Sequence, residues 1–360
     1  MATLRHPSVA TFGRQIACLF AICFLLSGCM RQVIQTPSGV ISDGRYDLAF
    51  PFGENSDALT DMLETVKLVN ATAYYESYQF PIEDQIQKGD INKDLIESGK
   101  YERTVFNDYA VGTATVIYHH RNRVAALTCA HVVDFADTIY TFFANENGEE
   151  SPFIHRVSFK KQQKNFLANL RQGEDFEILA IDHENDIAIV GKKLLFVSDD
   201  IPVFDYRLGR SEELEWGSLL YLIGYPSGKK MLTTGIVSNP NRNFKHDFLV
   251  DALFNRGFSG GIALAIRDGY PNFELVGIVN AVSAENEVVL VPSEFPDKGD
   301  FPINVPYTGS VYAAMRKKIN YGISFGISIE SILLFLQEND SQLRRKGYLL
   351  DLFFKNPMEN

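Results

Sequence analysis

Apolar residues along this chain fall mostly in short runs, and only one stretch has helical spacing. In residues 56–69 the apolar positions Leu59, Met62, Leu63, Val66 and Leu68 or Val69 recur at near-helical intervals and predict a helix. The tyrosine-rich run 71–78 predicts a strand. Residues 109–118 and 124–128 predict two more, joined by a turn at 119–123. Strands then follow at 176–181, 186–190, 218–223, 234–238, 248–250, 262–266 and 273–280. Many short strands separated by Gly, Pro and Asn turns predict an all-β barrel or sandwich. Three polar stretches interrupt the pattern. Residues 81–103 read as an exposed insertion with Gly89 and Gly99 as breakers. Residues 146–174, with Lys160-Lys161-Gln162-Gln163-Lys164, read as a solvated loop or hairpin. Residues 283–318, rich in Pro and acidic groups, read as a solvated loop, with a lid or an assembly surface as the alternatives. No repeat at solenoid or propeller period is visible.

The amino terminus has a different pattern. Arg5 and Arg14, with no acidic residue, precede an unbroken apolar run at 16–26. That run has the length of a signal h-region and is too short to span a bilayer. Leu26-Ser27-Gly28-Cys29 follows and resembles the lipobox of bacterial lipoproteins. The resemblance implies a signal peptide over residues 1–28 and a lipidated Cys29, with a polar tether to residue 55. The protein is then exported and attached to the bacterial cell envelope through its lipid. Met30 after Cys29, in place of aspartate, favours an outer membrane facing the periplasm in a host with two membranes. Cys18 and Cys23 leave with the signal, so Cys129 alone remains as a free thiol and is expected to be a small core residue. The net charge of -11 argues against nucleic acid as a partner.

Candidate chemistry lies in three separated segments, Thr128-Cys129-Ala130-His131, Asp182-His183-Glu184-Asn185-Asp186 and Asn255-Arg256-Gly257-Phe258-Ser259-Gly260-Gly261. A serine hydroxyl needs a histidine to take its proton, and the histidine needs a carboxylate to hold its tautomer. His131 is the candidate base, and its activity is expected to rise with pH as the imidazole loses its proton. Asp186 is the candidate orienting group, because among Asp182, Glu184 and Asp186 it alone leads directly into an apolar strand. Ser259 is the candidate nucleophile. Gly257 permits a sharp turn that aims its own N–H and that of Ser259 at one spot, an oxyanion hole. The adjacent His119 and His120 diverge on a strand, and no metal site is expected from them.

These segments, in the order His, Asp, Ser, resemble the trypsin-like superfamily. Tyr221-Leu222-Ile223-Gly224-Tyr225-Pro226, Thr234-Gly235-Ile236-Val237-Ser238, Val276-Gly277-Ile278-Val279-Asn280 and Gly322-Ile323-Ser324-Phe325-Gly326 narrow the resemblance to its high-temperature-requirement branch. It implies a chymotrypsin-like double β-barrel with a short N-terminal helix and a C-terminal helix. The protease domain is placed at 56–338 with a tail at 339–360, too short for the PDZ module common in that branch. It implies a serine endopeptidase acting on polypeptide substrates without a cofactor, and leaves open a homo-oligomer. Leu253, Asn280, Ala281 and Val282 are expected to line an apolar specificity pocket. Phe258 stands where the family usually has asparagine or aspartate, and Ile262 where it usually has proline. Phe258 supports the alternative of a latent or catalytically inactive protease-fold lipoprotein acting as a scaffold, should it press the Gly257 peptide into an inactive orientation.

Overall fold

A computed structural model describes residues 42–48, 56–145, 150–168, 170, 175–197, 201–252, 255–292, 311–350 and 353. Helix α1 (Ser56–Thr65) runs directly into strand β1 (Val66–Gln79). The helix is therefore shorter than its apolar spacing predicts. Val66 and Val69 are buried from the strand that follows it. Next come a five-residue helix α2 (Lys93–Glu97), the long β2 (Glu102–His120) and β3 (Arg123–Cys129), then the single turn α3 (Ala130–Val133) that carries His131. β4 (Thr138–Ala144), β5 (Glu150–Leu167), β6 (Glu177–Asp182) and β7 (Ile187–Lys193) complete the first sheet, in the order β4-β5-β1-β2-β3-β7-β6. It forms an open half-barrel.

The second sheet contains β8 (Arg207–Leu208), β9 (Leu219–Gly224), β10 (Met231–Asn239), β11 (Phe248–Val250), β12 (Ile262–Ile266), β13 (Phe273–Pro292) and β14 (Val311–Ser328). Its order is β12-β9-β10-β11-β14-β13-β8, and pairing of β12 with β13 closes six of these strands into a barrel. The mostly β architecture is the double barrel expected from the sequence, with the first barrel open along one side. Helix α4 (Ile329–Arg345) starts at a Ser328 cap, whose Oγ accepts from Ser331 N at 3.1 Å. It packs against β6, where Gln342 Nε2 donates to the Leu179 carbonyl at 2.6 Å. Beyond residue 338 the helix continues to Arg345, and Tyr348, Leu350 and Phe353 are buried.

The largest departure from the sequence reading is β5. Its polar composition suggests a solvated loop or hairpin; it does pair antiparallel with the preceding β4, but it also pairs along its length with β1. The reason is local. Lys160 Nζ donates to the Phe135 carbonyl at 2.6 Å, and Gln163 Nε2 donates to the Val133 carbonyl at 2.6 Å. These polar side chains therefore satisfy the loop that follows His131. Residues 283–292 and 311–318 extend β13 and β14 into one antiparallel arm, from Ala284↔Ile319 to Pro292↔Val311. The 81–103 insertion packs onto a small separate cluster, in which its Ile86 is buried with Phe80 and with Ile154 and Val157 of β5.

Candidate active site

Asp186 sits at the mouth of β7 in a left-handed conformation (φ 56°). Asp182 builds the turn that leads to it, accepting the N–H groups of Glu184 and Asn185 at 2.9 and 3.0 Å. Lys245 braces the same turn from the second barrel, donating to Asn185 Oδ1 at 2.6 Å. Held this way, the Asp186 carboxylate grips His131 twice. Oδ1 accepts the backbone N–H at 2.8 Å and Oδ2 accepts ring Nδ1–H at 2.7 Å. With Nδ1 donating, Nε2 is the free acceptor of a neutral imidazole. The Asp186 side chain is 19% exposed and the His131 side chain 48%. The pair thus combines a sheltered carboxylate with an accessible imidazole.

Ser259 is half-buried in the turn ahead of β12. Phe258 N–H closes the turn onto the Asn255 carbonyl at 3.2 Å, and Gly257 takes φ 100°, which a residue with a Cβ rarely adopts. A Cβ on Gly257 would come within 2.4 Å of the Tyr225 carbonyl. The Arg256 carbonyl accepts from Ser227 N–H at 2.7 Å. In a planar trans peptide the Gly257 N–H must then point the other way. Neither that N–H nor the Ser259 N–H donates to any group among the described residues. The Phe258 ring turns inward, 1% exposed in the core of the closed barrel, against Gly224 and Gly261.

Thr113 joins the two halves, and the sequence reading missed it. Its N–H donates to the Ser259 carbonyl at 2.8 Å, and its Oγ1 donates to the Gly257 carbonyl at 2.7 Å. The same Oγ1 accepts from Tyr225 N–H at 2.9 Å, and the Thr113 carbonyl accepts from Thr128 Oγ1 at 2.7 Å. One residue of β2 therefore orients the serine turn and ties it to β3, three residues before His131. The available signal was the small-residue run Gly112-Thr113-Ala114 inside a strand, a mark of close backbone approach. A Cβ on Gly260 would lie 2.0 Å from the Thr113 carbonyl. A second link is the Val279 carbonyl, which accepts Gly260 N–H at 2.7 Å and Cys129 Sγ at 3.3 Å. No hydrogen bond joins Ser259 Oγ to His131 Nε2. Catalytic contacts of this kind are often long in substrate-free sites and tighten with substrate.

Cys129, His131 and Asp186 bring potential ligand atoms within 4.8 Å of one another. The Cys129 thiol is fully buried. Burial first, then the Asp186 charge, pushes its pKa well above the ordinary thiol value. A metal needs the thiolate, and the His131 Nδ1 already holds Asp186, so the donor set does not suit an ion. Among the expected pocket residues, Asn280 is half-buried on β13. Ala281 and Val282 continue that strand opposite Phe325 and Ser324 of β14. Leu253 and Cys29 lie outside the described residues.

Residues 112–278 match the model of a family described as the trypsin-like peptidase domain. That span includes His131, Asp186 and Ser259. The match supports a peptidase of the trypsin-like serine class. Compared with curated proteins, the chain finds no match.

Proposed function

We propose that this protein is a membrane-anchored serine endopeptidase that cleaves unfolded or exposed segments of cell-envelope proteins. Ser259 Oγ attacks the scissile carbonyl while His131 Nε2 takes its proton. The Gly257 and Ser259 N–H groups stabilise the oxyanion. His131 then passes the proton to the leaving amine, and water, activated by the same imidazole, releases the acyl group. Asp186 holds the imidazole throughout. Asn280, Ala281 and Val282, with Leu253, would receive the side chain before the scissile bond. Lipid on Cys29 would tether the domain, a reading that rests on Leu26-Ser27-Gly28-Cys29.

The observation that carries this reading is the orientation of the Gly257 peptide. The Arg256 carbonyl is bound to Ser227, which turns the Gly257 N–H of the same peptide the opposite way, and that N–H has no acceptor among the described residues. Phe258 packs into the barrel core instead of against that peptide, which favours an assembled site over a scaffold. Incubation with reduced, unfolded β-casein tests the function. Wild type is expected to produce discrete fragments, and Ser259→Ala none. Equal cleavage by both, or none by wild type, contradicts the reading.

A further inference from the structure

The outer half of β2 is an edge. Strand β3 pairs with β2 only from Thr115 to His120, and β1 pairs with it from Glu102 to Thr115 without a break in register. Among the described residues no strand pairs with the other side from Glu102 to Gly112. In an antiparallel pair, alternate residues turn both N–H and C=O away from the partner. Thr113 fixes which ones do so here, because its N–H leaves β1 for the Ser259 carbonyl. Counting back by twos, Val111, Tyr109, Asn107, Val105 and Arg103 aim their backbone groups at the free edge. Tyr109 confirms the parity, since its N–H is taken by the Asp108 carboxylate at 2.9 Å and not by β1.

From Arg103 to Val111, about 27 Å at the usual rise per residue, the edge is thus a run of backbone groups that no strand pairs among the described residues, with only the Tyr109 N–H held by its neighbour Asp108. It ends two residues before Thr113, which holds the candidate nucleophile's carbonyl. It is also apolar where exposure would normally be avoided. Val105 is 75% exposed and Tyr109 71%, and Tyr74 of β1, directly opposite Asn107, lies beside them on the same face. The strand is stiffened from behind. Phe106 stacks on Tyr75 at 5.1 Å, and at the far end Tyr78 of β1, opposite Arg103, belongs to the Phe80–Ile86–Ile154–Val157 cluster.

We propose that the β2 edge from Arg103 to Tyr109 binds the substrate polypeptide as an added antiparallel strand, on the leaving-group side of the scissile bond. This rests on the endopeptidase reading. The side follows from the layout, because Ser259 lies between β13, the expected pocket strand for the acyl side, and β2. Backbone pairing accepts any extended sequence, which suits unfolded chains. Tyr109, Val105 and Tyr74 favour apolar side chains at alternate positions. Asp108 caps the Tyr109 N–H until a substrate C=O replaces the carboxylate as its acceptor.

The test uses two peptides built on a bond that the protein cuts in β-casein. One ends two residues past that bond and the other continues for ten. Wild type is expected to cleave the longer peptide with kcat/KM roughly tenfold higher, the worth of about two net backbone hydrogen bonds. Asn107→Pro removes an edge-facing donor without touching the β1 ladder, as edge strands permit. It should abolish the advantage while leaving short-peptide cleavage and the far-ultraviolet spectrum unchanged. Tyr109→Ser, which keeps the backbone, should reduce the advantage severalfold. Equal rates for both peptides in wild type, or an advantage retained in both variants, overturns the strand proposal alone. Absence of any cleavage contradicts the endopeptidase reading and the strand proposal with it.

Discussion

Thr113 stands outside the three motifs, yet its two polar groups fix the carbonyls on both sides of Phe258 in the serine turn. Thr113→Val keeps the shape and removes the hydroxyl. Two buried groups, the Gly257 carbonyl and the Tyr225 N–H, then lose their partner, each at a cost of about 1–3 kcal/mol. Denaturant unfolding should report that loss. Modification of Ser259 by a fluorophosphonate should slow by roughly 10–100-fold, less than removal of an oxyanion donor itself. Unchanged reactivity would remove Thr113 from the positioning role. Phe258 gives a parallel case in which packing replaces the polar residue usual at that position. Phe258→Ala should destabilise by about 3–5 kcal/mol, whereas Phe258→Leu should retain most of both stability and reactivity. Cys129 is the opposite kind of residue. Buried and held protonated, it should resist iodoacetamide in the folded protein and react fully only after unfolding.

At the scale of elements, the 182–186 turn and β5 show why polar sequence was hard to interpret. The turn residues Asp182, Glu184 and Asp186 are three similar carboxylates on the page, and the structure gives them separate tasks. Asp182 is the turn builder. Partial burial works against its charge, but the Asn185 side-chain amide, the Asn185 and Glu184 N–H groups and Lys245 outweigh it, and the carboxyl titrates below its usual range. A folded pKa lowered in this way stabilises the protein above the unfolded carboxylate range. The contribution is lost as pH falls through the lowered folded value. The difference in Tm between wild type and Asp182→Asn should therefore be largest near neutral pH and vanish in acid. A difference independent of pH would deny the linkage. In β5 the amphipathic signal is masked because Lys160 and Gln163 serve neighbouring carbonyls instead of water. Periodicity sees polarity but not its partner.

For the whole molecule, many strands of both barrels were legible because they alternate or run apolar over a few residues between turn formers, whereas β4, β5 and the two-residue β8 were not. The His131, Asp186 and Ser259 segments were legible because each adjoins such a strand. What stayed hidden depends on contacts distant in sequence: the Thr113 bridge to residues about 150 positions away, the inward Phe258 ring, and the register that exposes alternate residues of β2. The same long-range contacts make the central claim testable in one step. Purified protein treated with a fluorophosphonate probe, beside Ser259→Ala and His131→Ala, reports whether base, carboxylate and oxyanion turn act together. The account predicts one label per chain, on the peptide containing Ser259, with rapid modification of wild type, none of Ser259→Ala and a large loss of rate for His131→Ala. Absence of labelling across pH 6–9 would contradict it, as would a label on any other residue.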